Sequence, residues 1–217
     1  VAEEAPALVG VGVYIWNVPQ VIAFLREIRR LSPQTVVVLG GPEVSYETDG
    51  QEVVGLADYV VTGEGETAFA ELVDAMDAGK LPTRRILPGG LPPIETLPSP
   101  YGLYTDEDIA QRVIYVEASR GCPFKCQFCL SSLDQRVRQV DLERFFADLE
   151  KLMERGARNF KFIDRTFNLR MDVSTAILRF FLERVHLGLD LHFEMIPDRL
   201  PDALRDLLQQ FPPGVVQ

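Results

Sequence analysis

Glu117-Ala-Ser-Arg-Gly-Cys122-Pro-Phe-Lys-Cys126-Gln-Phe-Cys129-Leu130 follows directly on the run Arg112-Val-Ile-Tyr-Val116. β-Branched and aromatic residues crowd that run, so it predicts a strand over Arg112–Glu117 that feeds a loop. The chain has three cysteines, and all of them fall in this loop as C-x3-C-x2-C. A disulfide framework would spread an even number of thiols along a secreted chain. Closely spaced thiolates are instead soft ligands suited to an iron–sulfur cluster. A fully protein-ligated 4Fe-4S cluster takes four cysteines, so three leave one iron open to another ligand. A catalytic metal site keeps a free position in the same way. Two other readings of these residues stay open: a zinc site completed by His186 or His192, and three unrelated structural thiols.

Strand and helix signals alternate on the C-terminal side of the loop. Asp141 to Arg155 predicts an amphipathic helix with Leu142, Phe145, Phe146, Leu149, Leu152 and Met153 on one face, stopped by Gly156. Phe160–Ile163 predicts a strand ending at Asp164. Asp172 is expected to cap a helix reaching about Val185. Leu189, Leu191, Phe193 and Met195 alternate as a strand, and Leu204, Leu207 and Leu208 mark a further helix. Gly214-Val-Val-Gln217 reads as the start of another strand. Repeated βα units predict a partial TIM-like barrel, whose reactive groups gather at the carboxyl ends of its strands. Asp164 and Glu194 sit at or near such ends.

A separate strand–helix series occupies the N-terminal side. Leu8–Val13 is an apolar run suited to a strand buried on both faces. Asn17 offers an N-cap to a helix opened by Val18-Pro19, with Ile22, Leu25, Ile28 and Leu31 as its stripe. Thr35–Leu39 and Asp58–Val61 predict two more strands, and a helix runs from about Glu66 to Ala78. Three strands with helical crossovers imply a parallel, Rossmann-like sheet. Gly40 and Gly41 follow the second strand, and Gly63 and Gly65 the third. Loops of this kind allow close backbone approach to a ligand at a sheet's carboxyl edge, although turn chemistry alone also accounts for them. Leu81–Pro100 holds six of the 15 prolines and suits an extended connector. The expected division is a Rossmann-like domain over 1–80, a Pro-rich linker over 81–110 and a barrel portion over 111–217. The chain opens on a strand without an initiator methionine, so both ends read as cut.

Composition narrows the functional classes. The 217 residues carry a formal charge of −10. A phosphate-neutralising groove needs clustered Lys and Arg, so a nucleic-acid partner is not expected. Apolar runs fall short of the ~20 residues that span a bilayer, and no signal-peptide pattern opens the chain. A cytoplasmic protein without a membrane partner is the expectation.

The C-x3-C-x2-C array with Phe128 before its last cysteine resembles the radical S-adenosylmethionine (SAM) superfamily. The surrounding Glu117–Leu130, with Gly40-Gly-Pro-Glu43 and Gly63-Glu-Gly-Glu-Thr67, resembles its cobalamin (B12)-binding branch. The resemblance implies a 4Fe-4S cluster on Cys122, Cys126 and Cys129, whose open iron chelates SAM. Reductive cleavage of SAM then yields a 5′-deoxyadenosyl radical. It also implies that Phe128 lies near the adenine and that Asp164 or Glu194 accepts hydrogen bonds from the SAM amino group or ribose. Arg199 is a candidate for the SAM carboxylate, and Gly40, Gly41, Gly63 and Gly65 for cobalamin. An electron donor such as flavodoxin or ferredoxin and a small-molecule or peptide substrate are the implied partners. The reaction would be methyl transfer or a radical rearrangement or cyclisation. Many B12 domains present a histidine to cobalt from D-x-H-x-x-G, and neither His186 nor His192 has that setting. A first domain that only recognises substrate, and a non-catalytic metal-binding module, are the alternatives.

Overall fold

The computed structural model describes residues 5–130, 136–198 and 200–217. The chain divides into two compact units, Val1–Pro92 and Pro93–Gln217.

The first unit is a parallel sheet in the order β1 (Leu8–Gly12), β2 (Val36–Gly40), β3 (Tyr59–Thr62) and β4 (Ile86–Pro88). Helices α1 (Val18–Leu31), α2 (Glu52–Gly55) and α3 (Glu66–Asp77) lie between successive strands. Val37, Val38 and Leu39 of β2 are buried, as a central strand of a covered parallel sheet requires. β1 departs from expectation: its residues are half-buried or exposed, because in the described sheet it pairs with β2 alone. The fourth strand is also new, a three-residue run inside the proline-rich stretch.

Two local expectations are corrected in α1. Its buried stripe is Val21, Leu25 and Ile28, while Leu31 is exposed. Repeated steps of three drift off the face of a helix with 3.6 residues per turn. Asn17 occupies the N-cap position, but its side chain makes no cap hydrogen bond. It accepts from the Tyr14 N–H at 2.8 Å and donates to the Gly12 carbonyl at 3.0 Å, bracing the turn after β1.

The second unit is built on parallel strands in the order β5 (Ile114–Val116), β8 (Asn159–Phe162) and β9 (Asp190–His192). Val216 continues the series through a parallel bridge to Leu191. Helices α4 (Asp106–Gln111), α5 (Leu142–Glu154), α6 (Met171–Leu182) and α7 (Asp202–Leu208) accompany them. Phe162 is fully buried at the centre of the core, within 6.0 Å of the Phe145, Phe167, Phe181 and Phe193 rings. α5 follows the predicted pattern, with the Asp141 carboxylate accepting from the Arg144 N–H at its start. α6 begins differently: Asp172 lies inside the first turn, ion-paired with Arg170, rather than at the cap.

The outer edge of β5 is met by two tyrosines. Tyr101 Oη accepts from the Glu117 N–H at 2.9 Å and lies 3.3 Å from its carbonyl. Tyr104 Oη pairs in the same way with Tyr115, at 3.2 and 3.4 Å. An unpaired edge is a template for unwanted strand addition, and these hydroxyls occupy its polar groups. Among the described residues no helix is long and apolar enough to cross a membrane.

Candidate functional site

The carboxyl ends of three adjacent parallel strands carry Glu117, Asp164 and Glu194, all within two residues of a strand end. The cysteine loop leaves from the first of these ends. Its stem is a short antiparallel ladder absent from the sequence reading, β6 (Ser119–Arg120) paired with β7 (Arg138–Gln139). Two residues per strand are too few to show a period. Gly121 completes the stem at φ +91°, and a Cβ there would stand 1.9 Å from the Arg136 carbonyl oxygen. Only glycine fits that approach.

The three thiols differ in setting. Cys122 is buried, with its Sγ 3.7 Å from the hydroxyl of Thr166. Cys126 is exposed and Cys129 half-buried, and they share a turn in which the Cys129 N–H donates to the Cys126 carbonyl at 3.1 Å. Phe128 projects from that turn, 95% exposed. Among the described residues the cysteines do not converge into a ready-made ligand set, and neither do His186 and His192 with them. The donor chemistry fits a cluster nonetheless: three soft thiols in one loop, one buried beside the stem and two on the turn that follows. Ligand sets of this kind commonly assemble only as the metal binds.

Asp164 is 2% exposed. Its Oδ2 accepts from the Ala118 N–H at 3.0 Å and its Oδ1 from the Ser119 hydroxyl at 2.6 Å. Burial raises its pKa above the ordinary carboxylate value, and the bonds from Ser119 and Ala118 pull part of the way back. The carboxylate thus faces the root of the cysteine loop. Glu194 is exposed, while its carbonyl accepts from the Phe167 N–H at 2.8 Å. Arg199 lies outside the described residues.

A cavity of about 170 Å³ lies beside this stem, between Ile94–Tyr101, the start of α5, and Glu117 and Arg120. Its polar lining is largely occupied. Glu117 and Arg120 are ion-paired at 2.8 Å, and Arg144 donates to the Leu97 carbonyl. Burial drives the Tyr101 hydroxyl well above the usual phenol range, so it is a neutral hydrogen-bonding group there.

In the first unit, the glycine loops lie at the carboxyl ends of β2 and β3. Gly41 has φ +107°, and a Cβ would meet the Val13 carbonyl oxygen at 2.6 Å. Ser45, not singled out from the sequence, joins the two loops. Its hydroxyl donates to the Gly41 carbonyl at 2.8 Å and accepts from the Gly63 N–H at 3.0 Å. Gly65 stands at the N-cap of α3. The loop after β1 adds an exposed aromatic pair, Tyr14 and Trp16, stacked at 4.7 Å. A Tyr-x-Trp after an apolar run was the available signal for it.

Residues 1–73 match the family model of the B12 binding domain. An uncharacterized methyltransferase of Pyrococcus horikoshii is 32% identical over 179 residues, 69% of this chain and 38% of that protein. The 2-(S-pantetheinyl)-carbapenam-3-carboxylate methyltransferase of Streptantibioticus cattleyicolor is 30% identical over 76% of this chain and 28% of its own length. The chain therefore spans well under half of the curated relatives it matches. In fold it is similar to the radical S-adenosylmethionine methyltransferase TsrM of Kitasatospora setae, solved with cobalamin and a 4Fe-4S cluster bound. That match has a TM-score of 0.71 at 22% identity and covers 100% of this chain and 48% of the other.

Proposed function

Because the chain belongs to the B12-binding branch of the radical SAM superfamily, we propose that it supplies the cobalamin- and cluster-binding parts of a methyltransferase. The observation that carries this reading is a single chain joining two features. One is the B12-binding match over residues 1–73, and the other is a C-x3-C-x2-C loop leaving the carboxyl end of a barrel-type strand. Relatives aligned over most of the chain are named as methyltransferases in several cases and as a cyclase in another, so methyl transfer is taken as the first reading and cyclisation as the second.

Cys122, Cys126 and Cys129 would hold the 4Fe-4S cluster, and Gly40, Gly41, Gly63 and Gly65 would allow cobalamin to approach the backbone beside Tyr14 and Trp16. When bound, the cluster supplies the electron that cleaves SAM, and cobalamin supplies the methyl group. Cys122 is the fixed point of the loop, since Asp164 grips the two residues that open the stem. Phe128, on the exposed turn, would cover the nucleoside of SAM. Glu194 has a solvent-facing carboxylate at the strand ends and is the better candidate for the SAM amino group or ribose. Asp164 already has partners on both oxygens. A small-molecule or peptide substrate, a flavodoxin or ferredoxin as electron donor and a cytoplasmic location complete the reading.

The test is anaerobic purification of the full-length protein with cobalt analysis, followed by incubation with SAM and a reductant. Bound cobalt with release of 5′-deoxyadenosine and S-adenosylhomocysteine is expected. SAM cleavage without cobalt would assign the first unit to substrate recognition, and an inert zinc protein would leave a structural module.

A further inference from the structure

We infer that Thr166 is a positioning residue for the iron–sulfur centre, whose hydroxyl hydrogen-bonds the Cys122 sulfur and raises the reduction potential of the cluster. The inference rests on the cluster reading above.

Thr166 and Cys122 are 7% and 8% exposed, so water does not readily compete for either group. Their polar atoms stand 3.7 Å apart, a reach suited to the large sulfur atom. The Thr166 hydroxyl also donates to the Arg165 carbonyl at 2.8 Å. With its hydrogen turned to that carbonyl, Thr166 receives the Cys122 S–H. A sulfur bound to iron carries no proton and can only accept. The hydroxyl then has a stronger acceptor on its other side, and rotation about one side-chain bond turns its hydrogen from the carbonyl to the sulfur. Charge-assisted bonds of this kind outcompete neutral ones.

The backbone on both sides is fixed, so the pair does not depend on the exposed turn. Asp164 ties this segment to Ala118 and Ser119, and the Phe167 N–H is held by the Glu194 carbonyl. Hydrogen bonds to cluster sulfurs withdraw charge and favour the reduced state, a recognised control on cluster potential. Cys122 would thus be the ligand that tunes the cluster, while Cys126 and Cys129 close around it.

The experiment is a redox titration of the reconstituted full-length protein, read from the electron paramagnetic resonance signal of the reduced cluster. Wild type is compared with Thr166→Val, Thr166→Ala and Thr166→Ser. The first two should lower the potential so that, where half of the wild-type cluster is reduced, several-fold less is reduced in the variant. A tenfold fall in the ratio of reduced to oxidised cluster corresponds to about 59 mV for a one-electron couple. Thr166→Ser should stay close to wild type. If Val is not tolerated in the core, the Ala and Ser variants carry the comparison alone. Equal potentials in all folded variants, with full iron content, would overturn the role of Thr166 and leave the cluster reading standing. A wild-type protein that binds no iron would overturn both.

Discussion

Asp164 and Ser119, 45 residues apart in the chain, are joined by a hydrogen bond of 2.6 Å between carboxylate and hydroxyl. Through it the end of β8 holds the stem of the cysteine loop, together with the bond to the Ala118 N–H. Asp164→Ala leaves a buried donor at Ala118 without an acceptor and should lower stability by about 1–3 kcal/mol. Asp164→Asn keeps an acceptor for Ala118 and a donor for the Ser119 oxygen, and should cost less. Chemical denaturation of the three proteins checks the order.

The same residue makes stability depend on pH. Burial raises the folded pKa of Asp164 above its unfolded value, so the folded protein binds this proton more tightly. The resulting stabilisation is complete below the ordinary carboxylate range and disappears as pH rises through the raised value. Wild type should therefore lose stability relative to Asp164→Asn over that interval. A stability difference independent of pH would contradict the assignment.

Gly121 was legible only as one residue of a motif, yet its contact is specific. Ala at this position would drive a methyl group into the Arg136 carbonyl at 1.9 Å in a backbone conformation hostile to it. Gly121→Ala should open the β6–β7 stem, destabilise the second unit by about 1–3 kcal/mol and reduce iron retained after reconstitution. Thermal unfolding and metal analysis check both effects.

How much the sequence disclosed depended on pattern length. Long amphipathic runs such as Leu142–Glu154 stand out because several buried residues repeat on one face. The parallel order of β5, β8 and β9 also follows from alternating strand and helix signals. The two-residue ladder, the three-residue β4 and the Tyr101–Glu117 pairing have no period to read. Asp164 stood out by its place at a strand end, but its partners come from a residue pair far away in the chain. Ser45 was missed because a lone serine two residues past a Gly-Pro-Glu turn looks like any loop residue.

Ser45 joins the two glycine loops, so Ser45→Ala removes a partner from both Gly41 and Gly63. The loss in stability should be modest, about 0.5–1.5 kcal/mol, since these groups can reach water. Cobalamin binding, followed by absorbance, should weaken more than stability does if this edge is the cofactor's seat. Unchanged cobalamin binding would move the seat elsewhere.

Tyr101→Phe deprives the Glu117 N–H of its acceptor, and Tyr104→Phe does the same at Tyr115. Amide hydrogen exchange at these two positions should speed up by severalfold in the respective variants, with the β8 and β9 amides little changed. The double variant should also self-associate more readily, since its β5 edge is left open.

Iron content after anaerobic reconstitution tests the central claim most directly. Wild-type full-length protein should hold about four irons per chain, and Cys126→Ala should fail to assemble the cluster. Stoichiometric zinc without iron in the wild type, or full iron in Cys126→Ala, would contradict it.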